Sequence, residues 1–128
     1  TLVAYEGDRM VFATLISSGL PQWSTNEGLF RVYERYEAAR MSGAVGQPDF
    51  YYIEEVPYVM YFDDEIGLHG TYWHDRFGYR QSHGCVNLSI MDAWWIYDFT
   101  KDEPHQNAWV YVYSSGQYRR DLPAWARR

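Results

Sequence analysis

The stretch Gln81-Ser82-His83-Gly84-Cys85-Val86-Asn87-Leu88 decides the reading of this chain, and Cys85 is its centre. It is the only cysteine in 128 residues, so no intramolecular disulfide can form. A lone cysteine in an arbitrary sequence is as readily a small buried hydrophobe as a reactive group. Its neighbours favour reactivity here. Gly84 lets the backbone approach closely or adopt a positive φ, and Ser89 to Thr100 reads as a helix just downstream. A thiol in a loop feeding a helix is expected to gain from unpaired backbone N–H groups and the positive end of the helix dipole. Upstream, the strand-like run Glu65-Ile66-Gly67-Leu68 delivers His69-Gly70. A thiol with a histidine brought near by the fold is the minimal constellation for nucleophilic catalysis through sulfur.

His69-Gly70-Thr71-Tyr72-Trp73-His74 followed by Ser82-His83-Gly84-Cys85-Val86-Asn87 resembles the signature of the L,D-transpeptidase (YkuD-type) catalytic domain. That signature is a histidine, a spacer, then Ser/Thr-His-Gly-Cys-hydrophobic-Asn/Arg. Thr14-Leu15-Ile16-Ser17-Ser18-Gly19 is similar to the family's early strand, and Gly28-Leu29-Phe30-Arg31-Val32 to its Gly-x-Phe-x-Ile strand. With Ala108-Trp109-Val110-Tyr111-Val112 as the closing strand, the likeness runs from about residue 2 to 113. One departure stands at Ser24-Thr25-Asn26-Glu27-Gly28, where the family often carries a proline; this loop reads as remote from the chemistry. The resemblance implies a mainly β fold, a β-sandwich with one main α-helix after the cysteine. It divides the chain into a catalytic domain over residues 1–113 and a tail over 114–128.

The resemblance further implies peptidoglycan stem peptides as substrate. Cys85 would take the acyl group of a donor tetrapeptide as a thioester, release D-alanine, and pass the acyl group to an amine, forming a 3→3 cross-link. Water as acceptor would make the same site an L,D-carboxypeptidase. Carbapenems are expected to acylate Cys85, and the place of action is outside the cytoplasm, in the periplasm or cell wall. No cofactor is implied.

A thiol needs a base or a lowered pKa near pH 7, and His69 is the candidate base. The resemblance implies that the Gly70 carbonyl orients its ring; Asp75 is the alternative. A backbone acceptor leaves the imidazole less basic than a carboxylate would, which suits a neutral thiol–imidazole pair. His83 lies nearest Cys85 in sequence, but neighbours two apart in a tight turn point different ways, so its part is structural. The amides of Gly84 and Cys85 are the candidate oxyanion hole. Ser82 is expected to bond within the loop or to His69, and Asn87 either pins the loop or faces substrate. Trp73 and Tyr72, with Tyr58 and Tyr61 upstream, are candidate groove walls. Arg76 and Arg80 are the cations near the site in sequence, and either is a candidate fork for a substrate carboxylate.

Two other classes are weighed against these. His69, His74, His83 and Cys85 are the right residue types for zinc, but their spacing matches no common ligand pattern, so no metal is expected. A wall-binding module on a degenerate scaffold would explain the aromatic content, yet it would have no need of both His69 and Cys85.

Composition is consistent with one domain large enough for a core. Aromatics make up 20%, with 13 Tyr and 6 Trp, as in a β-rich body with half-wet surfaces. A net charge of −6 without a basic stripe argues against nucleic acid as partner. No apolar run is long enough to span a membrane, and oligomeric state is not legible. No export signal is present, but the chain opens at Thr1 rather than Met, as a mature or trimmed fragment would.

Along the chain, Leu2 to Tyr5 and Arg9 to Ile16 read as a hairpin around Glu6-Gly7-Asp8. Gly28 to Tyr36 alternates as one strand, and Glu37 to Asp49 lacks a period, with a brief helical turn over Glu37-Met41. Phe50 to Glu55 and Val59 to Phe62 read as two strands broken by Pro57. Thr71 to Gln81 is a loop. The helix after Ser89 shows Ile90, Ala93, Trp94 and Tyr97 at helical spacing, with Ser89 as N-cap and Asp92 completing a capping box. A turn over Lys101 to Asn107, containing Pro104, precedes a strand from Ala108 to Tyr113.

Overall fold

In a computed structural model, the structure describes residues 1–43, 46–48, 50–103 and 105–114. Pro104 and the tail from residue 115 onward lie outside the described residues. Strand β1 (Leu2–Glu6) turns through Gly7, at φ +64°, into the antiparallel β2 (Arg9–Thr14). This hairpin lies on the helix α1 (Ile90–Phe99): Phe12 stacks on Trp95 at 4.4 Å, and Thr14 Oγ1 donates to the Asp92 carboxylate at 2.6 Å. Strand β3 (Gly28–Arg31) pairs antiparallel with β8 (Trp109–Val112). The third sheet has the order β4 (Glu34–Gly43), β5 (Tyr51–Asp63), β6 (Ile66–Gly70), β7 (Val86–Leu88). Its β6–β7 pair is parallel, with His69 opposite Asn87. The fold is mainly β with one main helix, as expected.

Pleat alternation on β6 and β7 creates two faces. Leu68, Val86 and Leu88 point into the main core with Met60, Phe62, Val32, Ala93 and Ile96. His69 and Asn87, the residues between them, point to the opposite face. A second cluster gathers there, formed by Met41, Val56 and Val59, with Tyr51, Ile53, Tyr61 and Cys85 against it.

Five expectations change. The strand over Gly28 to Tyr36 is two strands, because the chain changes sheets: Val32 N–H bonds to Ala108 O and Tyr33 N–H to Tyr61 O. Glu37 to Met41 belongs to β4 rather than a helical turn, and its alternation is blurred by a register shift between Ala39 and Met41. The two strands around Pro57 are one, β5, which tolerates the proline beside Glu55 and Tyr58, both at φ +53°. On α1 the buried residues are Ala93 and Ile96, while Ile90 and Trp94 are 42% and 43% exposed. Ser89 caps the helix by accepting the Asp92 N–H, but the Asp92 carboxylate is held by Thr14, so the box closes on one side only.

Candidate active site

Cys85 and His69 line one cavity of about 220 Å³, together with Met41, Tyr51, Ile53, Trp73, Gln81, Ser82, His83 and Asn87. His69 reaches it from β6 and Cys85 from the bend just before β7, so the parallel register brings the two side chains to one face of the sheet. No hydrogen bond joins them; the thiol instead approaches Glu65 O at 3.7 Å.

His69 is 2% exposed, and its Nδ1 lies 2.9 Å from Gly70 O. A carbonyl only accepts, so Nδ1 carries the proton and Nε2 is left with its lone pair. Burial drives the ring's pKa down to about 4; the Gly70 bond opposes this and His74 adds to it. Asp75 is not the partner. The Cys85 thiol is half-buried, and its pKa is pushed up to about 11, mostly by desolvation and less by the Glu65 charge. The Gly67 amide works in the other direction. The expected thiolate support from the helix is therefore absent: β7 separates Cys85 from α1, and the resting pair is neutral.

Ser82 shapes the turn, accepting the Gly84 N–H at 3.0 Å and donating to Cys85 O. Gly84 sits at φ +126°, and that backbone conformation selects glycine; the Cβ of another residue would also come within 2.7 Å of Ile66 Cδ1, the free end of a side chain that can move aside. Its amide, half of the expected oxyanion hole, is taken by Ser82 in this resting arrangement. The Thr25 hydroxyl donates to Gly84 O at 2.6 Å, so the loop that reads as remote in sequence buttresses the thiol's own turn. The His83 ring packs between Tyr51, at 4.5 Å, and Trp23, at 5.5 Å.

The other expected site residues divide. Trp73 walls the cavity with its ring 5.7 Å from that of His69. Asn87, 2% exposed, lines the same cavity. Tyr72 stands outside it, meeting Trp73 edge-on and donating to Glu54 O, so it supports the wall from behind. Tyr61 lines a different groove, with Tyr33, Glu34, Tyr36, Ala39, Arg40, Asp64 and Glu65. Tyr58 packs on Tyr97 beside the main core. Arg80 is spent on Gly19 O and Ser24 Oγ, and so braces a loop rather than offering a fork to the cavity. Met41, Tyr51 and Ile53 escaped sequence reading because β4 and β5 bring them from far along the chain; Gln81, beside the motif, carried no distinguishing signal. Among the described residues no three His, Cys, Asp or Glu side chains converge as metal ligands.

A mainly β domain that presents a thiol and a neutral imidazole to one cavity falls in the class of cysteine–histidine proteins. The family model for the YkuD L,D-transpeptidase catalytic domain matches residues 1–122. Among solved structures, an L,D-transpeptidase from Mycobacterium smegmatis superposes with a TM-score of 0.76 at 21% identity, covering 88% of this chain and 53% of its own. L,D-transpeptidase 3 from Mycobacterium tuberculosis, in complex with a faropenem-derived adduct, gives 0.62 at 28% identity, covering 74% and 43%. A cysteine-to-serine mutant of the Enterococcus faecium L,D-transpeptidase gives 0.66 at 28% identity, covering 73% and 39%. No curated protein matches. The chain belongs to the YkuD family of L,D-transpeptidase catalytic domains, and it spans about half or less of these solved structures.

Proposed function

We propose that this domain is a peptidoglycan L,D-transpeptidase working through a thioester on Cys85, outside the cytoplasm in the periplasm or cell wall. The observation that carries the reading is the cavity shared by the thiol and His69, whose Gly70 bond leaves Nε2 as the proton acceptor.

In the first half-reaction, Cys85 Sγ bonds to the carbonyl carbon of the donor's third stem residue while its proton passes to His69 Nε2. With pKa values of about 11 and about 4, a standing ion pair is strongly disfavoured, so proton transfer accompanies attack. The imidazolium so formed is a strong acid in its buried site. It gives the proton to the leaving amine as the C–N bond breaks and D-alanine departs. An acceptor amine then attacks the thioester and restores the thiol, leaving a 3→3 cross-link. The amides of Gly84 and Cys85 would receive the oxyanion once the Ser82 bond yields.

Incubation with a muropeptide tetrapeptide, followed by mass analysis, tests this. Loss of alanine with new dimers is expected, and neither should occur with Cys85→Ala. Alanine loss without dimers would assign an L,D-carboxypeptidase, with water as acceptor. Equal binding of wall fragments by wild type and Cys85→Ala, with turnover by neither, would assign a wall-binding module.

A further inference from the structure

Gly84 and Cys85 carry four main-chain polar groups, and three of them are held. Gly84 N–H donates to Ser82 Oγ at 3.0 Å, Gly84 O accepts from the Thr25 hydroxyl at 2.6 Å, and Cys85 O accepts from the Ser82 hydroxyl. The fourth, the Cys85 N–H, meets no acceptor among the described residues. A trans peptide carries its C=O and N–H in opposite directions. The bond that draws Gly84 O to Thr25 therefore turns the Cys85 N–H away from the loop that carries Thr25. Cys85 lines the cavity, whereas neither Gly84 nor Thr25 does.

We propose that Thr25 is a positioning residue, whose hydroxyl fixes the Gly84–Cys85 peptide so that the Cys85 N–H receives the carbonyl oxygen of the acyl group under attack by the thiol. The proposal rests on the acyl-transfer reading of the cavity. It separates the two halves of the oxyanion hole: the Cys85 amide stands ready at rest, while the Gly84 amide stays with Ser82. A hydroxyl has one proton to give, and here its direction is set. Thr25 Oγ1 accepts the Gly19 N–H at 3.1 Å, and its own proton goes to Gly84 O. The loop is anchored in turn to the motif. Leu20 N–H donates to Ser82 O at 2.8 Å, and Arg80 bonds to Gly19 O and Ser24 Oγ. The attacked carbon joins the side chain of the very residue whose amide is free, which brings its oxygen near that amide. A donor set in advance costs no reorganisation as charge develops on the oxygen.

Two reactions of the same thiol separate positioning from general damage. A carbapenem passes through an oxyanion: Sγ bonds to the lactam carbonyl carbon, the lactam C–N bond breaks, and the thiol proton ends on the lactam nitrogen. Iodoacetamide forms none, since Sγ displaces iodide from a saturated carbon and the thiol proton passes to solvent. Both adducts are read by intact mass against time. Thr25→Val, which keeps the shape and loses the hydroxyl, is expected to acylate about 30-fold more slowly, less than the loss of a whole donor costs, and to alkylate at the wild-type rate. Thr25→Ala repeats the comparison if the valine chain does not fold. Thr25→Ser, which keeps the hydroxyl, should restore acylation. Equal losses in the two reactions, or no loss of acylation, would overturn the positioning role, as would a Thr25→Ser chain that acylates as slowly as Thr25→Val. A wild type that is alkylated but never acylated would sink the acyl-transfer reading, and the positioning role with it.

Discussion

Two side chains, Cys85 and His69, carry the proposed chemistry, and both are neutral at rest because burial outweighs their neighbours. The His69 pKa falls from 6.5 to about 4, which has a consequence for stability. Above pH 6.5 the ring is neutral in both the folded and unfolded chain. As pH falls from 6.5 toward 4, the unfolded chain takes up a proton that the folded one refuses, so stability is lost across that window, on the order of 3 kcal/mol. Urea denaturation of wild type and His69→Gln between pH 7 and 4 should show this loss in wild type and a smaller one in the variant. Gly84→Ala faces a different obstacle: a positive φ that an alanine adopts only under strain. Its expected result is a lower melting temperature together with slower acylation, read by calorimetry and mass.

At the scale of elements, the helix is fastened at both ends by partners that periodicity cannot show. At its start Ser89 accepts the Asp92 N–H, and Ser89→Ala should cost about 1 kcal/mol in chemical denaturation. At its end Arg35 of β4 donates to Tyr97 O at 2.7 Å and to Thr100 Oγ1 at 2.8 Å, with its guanidinium 4.4 Å from the Tyr97 ring centre. Arg35→Ala should cost roughly 2 kcal/mol, since charged donors meet carbonyls left open at a helix end. Carbapenem acylation of the folded Arg35→Ala chain should be unchanged, because Arg35 lies on the helix side of the sheet and away from the cavity. The helix itself was legible from Ser89 and the apolar spacing that follows it. Its buried face was not, because aromatic residues ring the helix and the hairpin β1–β2 covers one flank through Phe12 and Trp95.

Over the whole molecule, the motif from Ser82 to Asn87 and the distant His69 were readable because fixed residue types recur at fixed spacing. The β4–β5 hairpin was not, since a register shift and Pro57 break the alternation that marks a strand. That hairpin supplies Met41, Tyr51 and Ile53, so the cavity wall opposite the motif was hidden along with it. Arg80 misled for the opposite reason: nearness in sequence placed it at the cavity, whereas the Gly19 carbonyl and the Ser24 hydroxyl claim it. What unites these elements is a single claim, that the imidazole across the β6–β7 pair takes the thiol's proton during attack. The most direct test is the rate of carbapenem acylation of Cys85, followed by intact mass, in wild type and His69→Gln over pH 4 to 9. Wild type should form one adduct at a rate that is level above about pH 5 and falls below it as His69 protonates; His69→Gln should react at least 100-fold more slowly. Equal rates in the two proteins would contradict the claim.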